Sequence, residues 1–330
     1  MATSLDSVSY PLTGPRLTRH STAKVMEEAK HVSISKENLD KLLNKWIPEG
    51  SNKEDFKFIG WNDLDFHLVQ AENSEKLVQY IFILDSLNFC FWPNPGFEYD
   101  TLANGVKDCL VNNSDLLSPD SLMAITSQDV RDKLFGGLEI CLLDERTRVL
   151  QEVGYAVKTR FDGKFENVIK AAEGSACKLV DILTSNFPNF RDHVTYNGRQ
   201  VFMYKRVQIL VGDIWGALKG QGLGEFSDIG ELTTFPDYRV PQILNEHGVM
   251  QYSEELTEKI TNKTVIPAGS TMEVEIRAAT VQAVELMKVE LNKRGINWNS
   301  VEVDWLLWQK GEEVKDSIVP HHRTLSIYYQ

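Results

Sequence analysis

Apolar residues recur at three- and four-residue intervals along most of the chain, the spacing of a buried helical face. This predicts helices over 22–32 and 36–46, the second with Leu39, Leu42, Leu43 and Trp46 on one side and Pro48 and Gly50 as its stop. Ser118-Pro119-Asp120 reads as an N-cap, a proline in the first turn and a first-turn acid. Ser270-Thr271-Met272-Glu273 has the form of a capping box and opens a long helix to about residue 293, with Gly295 just beyond. Two further long helices are expected over 165–187 and 201–218. Alternation with period two is scarce; 57–61 and 105–111 are the candidate strands, expected to pair. No repeat at a fixed period and no Gly/Ser/Pro-rich linker divides the chain. The expectation is a mainly α fold in one helical domain over 19–330, with room for two lobes around a cleft. Residues 1–18 are polar and are expected to be poorly ordered.

Composition narrows the functional classes. Of 330 residues, 42% are hydrophobic and 25% charged, which is globular and excludes a disordered chain. Lys plus Arg is 35 against 47 Asp plus Glu, a formal charge of −12. Stable binding to nucleic acid needs a basic face and is not expected; a single small anion in a local basic pocket is compatible. No apolar run approaches the ~18 residues that span a bilayer, and no apolar signal core opens the chain, so no membrane association is expected. Cys90, Cys109, Cys141 and Cys177 form no CxxC pair or zinc pattern and read as buried reduced thiols of a cytoplasmic protein, with the nucleus as a second compartment. His321 and His322 are adjacent but lack partner ligands at fitting positions, so no metal is expected.

Four segments carry candidate chemistry. In Phe82 to Pro93, Asp85 and Asn88 are embedded in an apolar and aromatic run. Either Asp85 caps backbone amides within a core, or Phe89, Phe91 and Trp92 stack on a flat ring while Asp85 and Asn88 bond its edge. In Tyr204 to Trp215, Lys205 and Arg206 are a solvated pair or a phosphate site, with Asp213 further along. In Phe226 to Gln242, Asp228 precedes Pro236-Asp237-Tyr238-Arg239. Pro236 forces Phe235 to be extended, so Asp237 falls at the mouth of a helix beginning near Val240. It is an N-cap there, or a carboxylate presented in the manner of helix-hairpin-helix DNA glycosylases. Finally, Glu273, Glu275 and Arg277, then Asp304-Trp305-Leu306-Leu307-Trp308, then Pro320-His321-His322-Arg323 bring acids and cations among aromatics near the C-terminus.

In this order the stretches FILDSLNFCFWPN, YKRVQILVGDIW, FSDIGELTTFPDYRVPQIL, EVEIRAATVQAVELM and PHHRTLSIYY resemble the queuosine salvage protein family, the queuosine 5'-phosphate N-glycosylase/hydrolases. The likeness runs from about residue 20 to the end; residues 220–225 look like a variable loop. It implies a fold related to helix-hairpin-helix DNA glycosylases and hydrolysis of queuosine 5'-monophosphate to free queuine, without a cofactor. The base of that nucleotide is a 7-deazaguanine bearing a cyclopentenediol through a secondary amine. On this reading Asp237 serves the ribosyl cation, with Asp213 and Asp228 next in line. Asp85, Asn88, Phe89, Phe91, Trp92 and Asp304 hold the base, with His67 and His322 as weaker candidates. Lys205, with Arg239, holds the phosphate, and Arg323 is next. A non-catalytic binder of a modified nucleobase or nucleotide is the alternative.

Overall fold

The computed structural model describes residues 12–48, 50–56 and 60–328. Its helices are α1 (Pro15–Glu28), α2 (Lys36–Trp46), α3 (Ser74–Leu87), α4 (Tyr99–Asn112), α5 (Pro119–Ala124), α6 (Ser127–Asp129), α7 (Leu143–Arg160), α8 (Phe165–Lys170) and α9 (Ala176–Asn186). They continue with α10 (Lys205–Ala217), α11 (Arg239–Glu246), α12 (Glu254–Thr261), α13 (Thr271–Lys293) and α14 (Ser300–Val314). Strand β1 (Val32–Ile34) pairs antiparallel with β4 (Met250–Tyr252), and β2 (His193–Tyr196) with β3 (Arg199–Phe202). This is the mainly α class expected.

Local chemistry accounts for many boundaries. The Ser35 hydroxyl accepts from the Asn38 amide at 3.2 Å and starts α2, whose Leu39, Leu42 and Leu43 are buried. Ser118 caps α5 by accepting from Ser121. At α13 the Ser270 hydroxyl accepts from the Glu273 amide, but the Glu273 carboxylate returns to Gly269 rather than to Ser270.

Several expected elements differ. Residues 105–111 lie inside α4, not in a strand. Leu102, Ala103, Val106, Cys109 and Leu110 share one buried helical face, and that period prevails. Of their expected partner strand, 57–59 lie outside the described residues and Trp61 begins a 3-10 turn. The helix expected over 165–187 is broken into α8 and α9. Glu173 and Gly174 adopt positive φ of 53° and 76°, and Ser175 re-caps the chain on the Lys178 amide. The helix expected from 201 begins only at Lys205, because Asn197-Gly198, at φ 48° and 77°, turns a hairpin whose second strand runs through Phe202. Helix α1 starts at Pro15 and buries Thr18, inside the stretch expected to be poorly ordered; residues 1–11 lie outside the described residues.

Two large apolar clusters organise the chain. One is built mainly from α3 to α10; the other joins α2 with α11 to α14. Helices α3, α10 and α13 are buried almost all round, as helices through a core must be. Among the described residues no helix is long and apolar enough to cross a membrane. All four cysteines are buried free thiols.

Candidate active site

The last turn of α3 ends in a loop whose carbonyl groups would be orphaned by burial. Two buried arginines satisfy them. Arg146 donates to the carbonyls of Leu87 (2.7 Å), Phe89 (2.5 Å), Cys90 (2.8 Å) and Cys141 (3.0 Å). Arg206 donates to Ser86 (2.6 Å) and Asn189 (2.5 Å). Both guanidinium groups face the Phe89 ring, at 4.3 and 5.1 Å. Phe89 is thereby part of the support beneath the loop, and Asn88 and Phe91 on either side of it turn into a cavity of about 270 Å³.

Helix α10 forms one wall. Its first amide, at Lys205, donates to Asp192 at 3.1 Å, and Asp192 is gripped by Arg277 of α13 at 2.5 and 3.0 Å. Ile209 and Asp213 follow Lys205 at four-residue spacing, so all three share a face. Gly212 and Gly216 let neighbours close in. A Cβ would lie 2.9 Å from the Phe235 ring at the first and 2.7 Å from Trp305 at the second. Phe235 and Trp305 both line the cavity, as does Trp308 one turn along α14.

Three buried carboxyl groups reach this space, Asp213, Asp237 and Asp304; Glu98, Asp100 and Glu312 line it too but are more exposed. Asp237 accepts from the Val240 amide at 2.8 Å, so it caps α11 and lines the cavity at once. Burial pushes its carboxyl up to about 6, against the opposing pull of Lys205 and the amides of α11. Asp304 accepts from the Thr234 hydroxyl and from the Phe235 amide at 2.8 Å; burial, then the nearby Asp237, push it up to about 8. Asp213 is driven well above the usual carboxylate range by burial and then by the charge of Asp85. Lys205 is fully buried and is not among the residues that line this cavity. Burial pulls its ammonium down to about 7, yet its charge still favours the ionised forms of Asp85, Asp237 and Asp304.

Asp85 sits behind the cavity. Asn88 donates to one of its oxygens at 3.4 Å; the other oxygen has no hydrogen-bond partner among the described residues. Burial raises this carboxyl from an unfolded value of about 3.9 to about 8. The folded chain therefore holds a proton that the unfolded chain releases. Stability from this residue falls as pH rises through that window and stays low above it. Asp85→Asn, which cannot ionise, should gain a few degrees of melting temperature over wild type between pH 5 and pH 8.5. Melting curves that shift in parallel across that range would remove the protonated carboxyl.

The opposite wall holds a proton chain of fixed direction. His67 is pulled down to about 4 by burial, so it is neutral, and its Nδ1 donates to the Trp61 carbonyl at 2.8 Å. Its Nε2 must then accept from the Tyr99 hydroxyl at 2.9 Å. The Trp61 indole stacks on the imidazole with ring centres 3.8 Å apart.

A second cavity of about 290 Å³ adjoins the first through Phe91, Glu98, Tyr238 and Lys315. Arg239, Lys263, His321 and Arg323 line it, with Trp92. Arg239 is engaged by Glu312 at 2.6 Å and by Gln242, whereas Arg323 lies 5.3 Å over the Trp92 ring with its Nε buried and without a partner among the described residues.

Of the residues expected from the sequence, Asn88, Phe91, His67, Asp213, Asp237 and Asp304 share the main cavity, and Trp92, Arg239 and Arg323 the adjoining one. Asp85, Phe89 and Lys205 stand behind the wall, which changes what each can touch. His322 is buried and lines neither cavity. Asp228 lies outside both; it caps α9 by accepting from Ser175 (2.7 Å) and the amides of Ala176 (2.5 Å) and Cys177 (3.3 Å), and those bonds lower its pKa. Trp61, Tyr99, Tyr238 and Lys315 were not anticipated. Phe97-Glu98-Tyr99 does carry an acid between aromatics, the pattern that singled out Asp304-Trp305.

Comparison with known proteins adds a second, independent line. The family model for queuosine salvage protein matches residues 67–329. A Dictyostelium discoideum protein named queuosine 5'-phosphate N-glycosylase/hydrolase is 44% identical over 326 residues, covering 97% of this chain and 99% of that protein. Proteins of the same name from Sphaerobacter thermophilus and Mus musculus are 41% identical over 324 residues (94% and 96% covered) and 32% identical over 341 residues (96% and 100%). With most of both cavities inside the matched stretch and likeness of this extent end to end, the chain belongs to the queuosine salvage protein family.

Proposed function

We propose that this chain hydrolyses the N-glycosidic bond of queuosine 5'-monophosphate and releases queuine. The observation that carries the reading is the pairing of the two cavities: one walled by aromatic rings and holding three buried carboxyl groups, the other adjoining it and presenting Arg239, Lys263, Lys315 and Arg323. A flat base bearing a cationic amine suits the first, where aromatic faces and carboxylates both favour it. A single phosphate suits the second. The net charge of −12 favours a mononucleotide over a nucleic acid. The relatives' names point to the same substrate.

Bond cleavage develops positive charge on the ribose. Asp237 serves that charge, as a fixed electrostatic partner or as a nucleophile, and water completes the hydrolysis. Lys205, too deep to meet a phosphate, keeps Asp237 ionised instead. The base rests among Phe91, Phe235, Trp305 and Trp308 with Asn88 and Asp304 at its edge; Asp85 and Phe89 act through the shape of the loop.

The test is incubation with queuosine 5'-monophosphate and chromatography for free queuine. Binding of queuine with no release would turn the reading into that of a binding protein. For the phosphate, Arg323→Ala should raise KM for the monophosphate about tenfold or more while leaving the bare nucleoside nearly unaffected. An unchanged preference between the two would move the phosphate out of the adjoining cavity.

A further inference from the structure

Asp213 is the one buried carboxyl of the main cavity that the fold itself does not use among the described residues. It stands two turns along α10 from Lys205, about 12 Å by helical rise, and lines the cavity while only 6% exposed. Asp237 is held by the Val240 amide and Asp304 by Thr234 and Phe235, but no hydrogen bond or ion pair to Asp213 is formed among the described residues. The ammonium that favours ionisation of Asp237 and Asp304 is not among the charges acting on Asp213. The titratable groups that interact electrostatically with it are Tyr80 and Asp85 on α3 and Tyr99 on α4, and none of them brings positive charge.

A desolvated carboxyl without a donor or a cation keeps its proton, because its ionised form has nothing to replace water. The cavity therefore holds a carboxylate supported by charge and backbone amides, Asp237, and a neutral acid that no donor ties down, Asp213, whereas Asp304, also pushed up by burial, is tied to Thr234 and Phe235. Two carboxyl groups driven to opposite protonation states by their surroundings is the arrangement that glycoside cleavage uses.

We propose that Asp213 is the general acid of the reaction, giving its carboxyl proton to the departing base. The proposal rests on the N-glycosidase reading and adds the leaving-group half of the chemistry to it. The C1′–N bond breaks and its electron pair passes to the base. The Asp213 proton moves to the ring system of that base, which leaves neutral, and Asp213 becomes a carboxylate. Water then forms the new C1′–O bond, and the proton it sheds restores Asp213. A 7-deaza base has carbon where a purine offers N7, so it lacks the usual ring site for protonation and gains more from an acid supplied by the protein.

The test compares Asp213→Asn with wild type on queuosine 5'-monophosphate and on 4-nitrophenyl β-ribofuranoside 5-phosphate, whose nitrophenolate leaves without a proton. The variant should lose about 10²–10³ in kcat on the nucleotide and at least about tenfold less on the aryl riboside, with queuine affinity in calorimetry within about threefold of wild type. Asp237→Asn, by contrast, should lose on both substrates. Equal losses of Asp213→Asn on the two substrates would overturn the acid role, as would wild-type turnover on the nucleotide. A queuine affinity that falls as far as kcat would make Asp213 a base-holding group instead. If wild type turns over only the nucleotide, loss of kcat at unchanged queuine affinity decides. A wild-type protein that releases no queuine would remove the N-glycosidase reading and the acid role with it, a result distinct from an active wild type with an unimpaired variant.

Discussion

Asp237→Asn should lower queuine release by about 10³ or more while the protein stays folded. The amide keeps the side chain's size and the oxygen that accepts from the Val240 amide at 2.8 Å, so the start of α11 is preserved. What it removes is the negative charge that the proposed mechanism sets against the ribosyl cation. Lys205 loses its strongest favourable neighbour at the same time. Because burial already draws that ammonium down to about 7, it can shed its proton rather than remain an uncompensated charge. Single-turnover chromatography measures the loss, and a melting temperature within a few degrees of wild type shows that the fold survives. The same carboxyl sets a pH limb. The proposed mechanism uses the ionised form, so kcat/KM should fall as pH drops through about 6, the value to which burial raises Asp237. Release by the variant within tenfold of wild type would hand the role to Asp304, the neighbouring carboxyl.

Arg146→Ala should be the most destabilising single change near the site, by about 3–5 kcal/mol. The carbonyls of Phe89 and Cys141 lose their donor inside the core, and those of Leu87 and Cys90 keep only the Phe89 amide and the Cys141 thiol. The Phe89 and Phe97 rings lose the guanidinium that lies 4.3 and 4.7 Å from their centres. Lysine cannot reproduce a fork that serves several carbonyls, so Arg146→Lys should recover little. Urea unfolding gives the stability. Queuine calorimetry on the folded fraction gives the consequence for the site, since the loop that Arg146 fastens carries Asn88 and Phe91 into the cavity. A variant unfolding within about 1 kcal/mol of wild type would show that the carbonyls find other donors.

Reading the chain alone succeeds where the signal is local. The ends of α2 and α5 follow from Ser35 and Ser118, each bonding an amide three residues on. It fails where two local signals compete. Residues 105–111 look extended in isolation, but the period of α4 around them decides. The run 201–218 looks helical throughout, although Asn197-Gly198 just before it is a strong hairpin signal and draws 199–202 into β3.

The sequence by itself determined the mainly helical class, the caps, the family and the inventory of acids, cations and rings that the chemistry draws upon. Those depend on residues within a turn or two of each other, or on motifs that survive as strings. Only the tertiary structure decided which acids come together. It brought Asp213, Asp237 and Asp304 from α10, the mouth of α11 and α14 to one cavity, sent Asp228 to cap α9, buried Lys205 behind the cavity wall and set Phe89 against two arginines. A side chain's protonation and reach are set by what excludes water from it, and for each of these the excluding groups come from helices far away in the chain.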